Sequence, residues 1–100
     1  MTHYEKLVRD GIPELLDSKE VPYEKRIADD TEYKIELVKK LVEEAGEFSE
    51  VTSVEELADV LEVVTALRTL PEYQDVEEVR LAKRAERGGF DQKIILKGEK

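Results

Sequence analysis

The sequence predicts a mainly α domain organised on an antiparallel helical hairpin, with at most a short two-stranded β ribbon. Three observations predict it. Apolar residues recur at three- and four-residue intervals from Thr31 to about Ser49, the period of an amphipathic helix. The stretch 57–70 is apolar on most sides, as in a helix that is buried or shared with a second subunit. Helix-start signals stand at Asp29/Glu32, Ser53/Glu56 and Asp75/Glu78, each with the three-residue spacing of a capping box.

In chain order, residues 1–10 lead into a first helix, entered at Gly11 and Pro13, because proline is tolerated in a first helical turn. Ile12, Leu15 and Leu16 give it a small apolar face, and Val21-Pro22 ends it. Residues 23–28 alternate weakly and predict a short strand. Asp29 or Asp30 then caps the long helix, whose stripe is Tyr33, Leu37, Val38, Leu41, Ala45 and Phe48. A break at residues 51–53 precedes the apolar helix, which Leu70-Pro71 closes. A last helix runs from Asp75 to about Arg87, where Gly88-Gly89 stops it. Residues 92–97 predict a second short strand, pairing with 23–28.

One hundred residues without a linker, repeat or low-complexity tract form one domain, 1–100. A hydrophobic content of 40% beside 41% charged residues is that of a charge-rich globular chain, not a disordered one. The net charge of -9 argues against nucleic acid or an anionic membrane as the partner. It leaves room for a phosphate-bearing small molecule, because a divalent ion and a local basic cluster reverse the field at a site. There is no cysteine, hence no disulfide, zinc–thiolate site or thiol nucleophile. The only histidine, His3, lies near a terminus and reads as incidental, so a Ser–His or Cys–His centre is not expected. The start has no basic-then-apolar signal pattern and no run approaches a membrane span, which makes a cytoplasmic protein the default.

Two carboxylate pairs flank the break: Glu44/Glu47 before it and Glu56/Asp59 after it. Residues three apart lie on roughly one side of a helix. In an antiparallel hairpin, facing residues have index numbers that add to a constant, as 44 with 59 and 47 with 56 do. A single fold-back therefore sets Glu44 opposite Asp59 and Glu47 opposite Glu56. Four close carboxylates repel one another and stay ionised comfortably only around a hard cation. The plainer reading is that a chain this acidic shows such spacings by chance, and that Glu56 serves only the cap with Ser53. Against it stands Asp59, a carboxylate within a mainly apolar helix, which is costly there unless paired or bound to metal. Glu43, Glu50 and Glu55 read as solvated.

Arg80, Lys83, Arg84 and Arg87 form one basic stripe on the last helix. Cations at a helix C-terminus suit its dipole, which explains Arg84 and Arg87 without any ligand. Four on one face of an acidic protein also suit a phosphate chain bridging to metal on the acids. Lys6 and Arg9 are near one another. Lys39 and Lys40 read as partners of Glu36, with Lys40 reaching toward the acids. Tyr4, Tyr23, Tyr33, Tyr73 and Phe90 read as packing groups before base-stacking ones.

The order Glu43-Glu44-x-x-Glu47, then Glu56-x-x-Asp59, resembles the metal-binding motif of the all-α nucleoside triphosphate pyrophosphatases, the MazG-like superfamily. Lys6-Leu7-Val8-Arg9-Asp10 with Ile12-Pro13, and later Lys83 with Arg87-Gly88-Gly89-Phe90, resemble a small single-domain branch of house-cleaning pyrophosphatases. The likeness runs from about Tyr4 to Leu96. Residues 48–55 form a shorter span between the acid pairs than in many such proteins, and Gly11 stands where a lysine or similar polar residue is expected. The resemblance implies that Glu44, Glu47, Glu56 and Asp59 hold one or two Mg²⁺ ions, with Mn²⁺ as a substitute. It implies cleavage of a nucleoside triphosphate between its α and β phosphates. Lys83 and Arg87, with Lys6 and Arg9, would face the phosphates, and the chain would form a homodimer or homotetramer. The competing expectation is a non-catalytic helical oligomer whose acidic surface binds a partner protein.

Overall fold

The computed structural model describes residues 5–99. Four α-helices follow one another: α1 (Ile12–Ser18), α2 (Asp30–Glu50), α3 (Val54–Arg68) and α4 (Val76–Arg87), with a 3₁₀ turn at Pro71–Tyr73 before the last. No strand occurs among the described residues. His3 and Tyr4 lie outside them.

Local chemistry accounts for most helix ends. Past α1, Val21 N–H donates to Leu16 O and Glu20 N–H to Asp17 O, with Glu20 at φ 56°. This is the left-handed closure usually given to glycine. Asp29 is extended and its carboxylate accepts the Glu32 N–H at 2.8 Å. Ser53 is extended too, and its Oγ accepts the Glu56 N–H at 3.2 Å. Each cap satisfies a helix-start donor and is worth about 1 kcal/mol. The third predicted cap does not form. Asp75 has φ -88° and ψ 5°, and its side chain accepts no N–H, because the turn begun at Pro71 runs almost directly into α4. Gly88, at φ 81°, ends α4 in a conformation side chains resist.

The scaffold is the pair α2–α3, the most closely packed elements among the described residues. Only residues 51–53 join them, so helices in contact across so short a link fold back as a hairpin. Among the described residues, Leu37 of α2 and Val63 of α3 are the buried apolar ones. The end of α3 is tied onward by Arg68, 3.1 Å from Glu77 of α4. Lys34 of α2 meets Glu72 at 2.7 Å and lies over the Tyr73 ring, holding the 3₁₀ turn to the hairpin. No helix among the described residues is long and apolar enough to cross a membrane.

Three expectations differ from what is seen. Neither 23–28 nor 92–97 is a strand. The first is held instead through Arg26, which bonds both Glu5 and Glu32. The second stands in solvent, with Ile95 and Leu96 about nine-tenths exposed. An isolated two-stranded ribbon is marginal in water, and here neither segment has a partner to pair with. Val38 and Ala45, expected in the α2 core stripe, are exposed. The apolar girdle of α3 is not covered within one chain either, since Leu61 is 58% exposed.

The chain is correspondingly open. Its radius of gyration is 17.9 Å, against about 13 Å for a compact domain of this length. Its accessible surface is 9405 Å², where a compact monomer of this mass exposes about 5,800 Å².

Candidate metal centre

α2 and α3 bring the acids together at their facing sides. Carboxylate oxygens of Glu44, Glu56 and Asp59 lie within 4.8 Å of one another. Glu44 comes from the last two turns of α2, while Glu56 and Asp59 come from the first two turns of α3. The 51–53 link and the Ser53 cap fix the start of α3, which sets where its acids point. Glu44 is well enclosed: its side chain is 13% exposed, against 42% for Asp59. The fourth predicted acid, Glu47, is exposed and lies outside the trio, though near enough for its charge to act on Glu44.

Electrostatics mark Glu44 as the strained member. Burial first, then the neighbouring charge of Glu47, push its carboxyl above the usual carboxylate range. Asp59 adds to the shift and Lys40, at 3.8 Å, opposes it. Glu44 Oε2 and Glu56 Oε2 are buried oxygens without a hydrogen-bond partner among the described residues. Buried acceptors of this kind are normally satisfied, and a divalent ion would satisfy both while offsetting the repulsion. All-oxygen carboxylate ligation suits a hard cation such as Mg²⁺ or Mn²⁺. The residues fit the ion.

The raised value has a measurable consequence. Between the ordinary carboxylate value of 4.5 and its own higher one, Glu44 binds more protons folded than unfolded. Its contribution therefore makes the metal-free protein lose stability as pH rises through that interval. Thermal melts in a chelator should show the loss, and Glu44→Gln should remove it. An identical pH profile in the variant would show that Glu44 is not the strained group.

Around the acids stand three cations. Lys6 Nζ is 3.8 Å from Glu43, Lys40 Nζ is 3.7 Å from the same residue, and Arg9 donates to Asp59 Oδ1 at 2.7 Å. Lys6 and Arg9, whose placement the sequence left open, thus span both helices of the hairpin. No family model, curated protein or solved structure matches the chain.

The basic stripe of α4 is only partly available. Arg80 is engaged by Glu77, and Arg84 reaches Asp91 at 3.5 Å. Lys83 and Arg87 are exposed and make no ion pair among the described residues. Arg87 lines a shallow concavity of about 260 Å³ with Gly88, Gly89 and Asp91, and the acids do not line it. One chain brings three of the four predicted acids together, with Arg9 on Asp59 and Lys6 beside Glu43, while Lys83 and Arg87 make no ion pair with an acid among the described residues. Lys40 reaches Glu43 and Glu44, as its place on α2 predicted.

Proposed function

We propose that the protein is a Mg²⁺-dependent nucleoside triphosphate pyrophosphohydrolase, a cytoplasmic house-cleaning enzyme of MazG-like type acting on modified or damaged nucleotides. The observation that carries this reading is the trio Glu44, Glu56 and Asp59, with two buried oxygens that lack a partner. These three, with Glu47 beside them, are the residues to hold the metal. A bound Mg²⁺ supplies an acidified water and charge neutralisation at the phosphates. Hydrolysis forms a bond from water oxygen to the α-phosphorus and breaks that phosphorus's bond to the αβ-bridging oxygen. Pyrophosphate leaves, and the water proton passes to a carboxylate of the set. Lys6, Lys83 and Arg87 are the phosphate-side cations, the latter two supplied from a second subunit.

A homodimer or homotetramer belongs to this reading. Ile35, Val38 and Val42 form one exposed apolar stripe on α2, and Val54, Leu57 and Leu61 form another on α3. Two such hairpins packed face to face would cover both stripes and account for the large accessible surface. The same exposed apolar area favours the second reading, a non-catalytic helical oligomer that binds a partner protein through its acidic face.

A panel of common and modified nucleoside triphosphates, incubated with Mg²⁺, separates the two. Release of pyrophosphate rather than orthophosphate is the expected result. No product from any member, together with no metal-dependent rise in melting temperature, would leave the partner-binding oligomer as the better account.

A further inference from the structure

The strongest observation outside the acid trio is that one of its members already carries a cation. Arg9 comes from the irregular segment before α1, fifty positions from Asp59 in the chain, yet donates to its Oδ1 at 2.7 Å. The bond is charge-assisted and short. Both side chains are roughly half exposed, so the pair is reversible, not locked in a core.

We propose that Arg9 is a tethered counter-cation of the acid cluster, which occupies Asp59 in the metal-free protein and is exchanged for the divalent ion on loading. The inference rests on the metal reading above and adds to it a competition within the chain. The trio oxygens lie within 4.8 Å of one another. Oxygen ligands at 2.0–2.1 Å from Mg²⁺ put neighbouring oxygens only about 3 Å apart. Direct ligation of one ion brings the trio oxygens to that spacing, and Asp59 is the member of the trio held by a cation from outside the hairpin. Giving up Arg9 frees its Oδ1 for the ion. A guanidinium left within a few ångströms of a divalent ion is repelled by it, which makes the exchange favourable in that direction. Released, Arg9 remains on the rim with its donors open to an anion, so loading the cation also prepares a place for phosphate. Lys6, on the same segment, pairs with Glu43 outside the trio and serves as the internal control.

The test is Mn²⁺ binding to the full chain by titration calorimetry, comparing wild type with Arg9→Gln, Arg9→Lys and Lys6→Gln. Arg9→Gln is expected to tighten binding about two- to fivefold, the size of an exposed ion pair. It should also lower the melting temperature in chelator, and that difference should vanish at saturating Mn²⁺. Arg9→Lys should lie between the two. Lys6→Gln, which removes the same charge from the same segment, should tighten binding less than Arg9→Gln. Equal tightening by both would mean a long-range charge effect and overturn the competition. Weaker binding in Arg9→Gln would make Arg9 a positioning partner of the ligand and overturn it also. If neither wild type nor Arg9→Gln binds Mn²⁺, the metal reading itself fails, and the inference goes with it.

Discussion

Replacing Glu44 by glutamine is expected to lower pyrophosphate release at least about a hundredfold, the usual loss when one preorganised electrostatic group is removed. The substitution is nearly isosteric and glutamine sits well in a helix, so α2 and its packing on α3 should survive. What changes is chemical. Glu44 is well enclosed, and its Oε2 has no donor among the described residues to satisfy it. A neutral amide there would lack the charge that attracts the ion. The same change relieves repulsion from Glu47 and Asp59, so the metal-free variant should melt higher than wild type. Higher stability with lost turnover is a signature that damage to the fold cannot mimic. Circular dichroism and a pyrophosphate-coupled assay give both readings. An undiminished rate would remove Glu44 from the mechanism.

Leu61→Asp should have the second large effect, on assembly. Leu61 lies at the middle of α3 and closes its exposed stripe, between the acid-bearing first turns and the buried Val63. If two hairpins meet through this face, an aspartate at each copy places unpaired carboxylates in an apolar contact. Loss of a central interface residue costs roughly 2–4 kcal/mol, or about 30- to 1,000-fold in dissociation constant. Sedimentation equilibrium should show wild type as a dimer or tetramer at micromolar concentration and the variant as a monomer. Because the phosphate cations of α4 are proposed to come from a second copy, turnover should fall with the dimer. A wild type that is monomeric at all accessible concentrations would end the shared-hairpin account.

The helices were legible in the sequence because their signals are local. The α2 periodicity, the two caps at Asp29 and Ser53, and the glycine stop at Gly88 each act within a turn or two. The matched positions of the acid pairs added one longer-range statement, which holds in part: Glu44, Glu56 and Asp59 meet, while Glu47, expected opposite Glu56, is exposed outside the trio. What local pattern could not supply was the partner of each exposed element. The strand signals at 23–28 and 92–97 were weak because alternation there serves no sheet; Arg26 spends its donors on Glu5 and Glu32 instead. Asp75 had the spacing of a cap but not the extended backbone a cap needs, which the 3₁₀ turn before it denies. The pairing of Arg9 with Asp59 spans a segment without periodicity, so no spacing rule reaches it.

Ser53 ties the start of a helix to the chemistry of the cleft through one hydroxyl. Its Oγ holds the amide of Glu56, and the side chain of that same glutamate is a member of the acid trio. If the trio holds the proposed ion, folding and ligation share a single residue pair. An engineer who seeks a firmer hairpin by resetting this turn would then alter cation affinity at the same stroke.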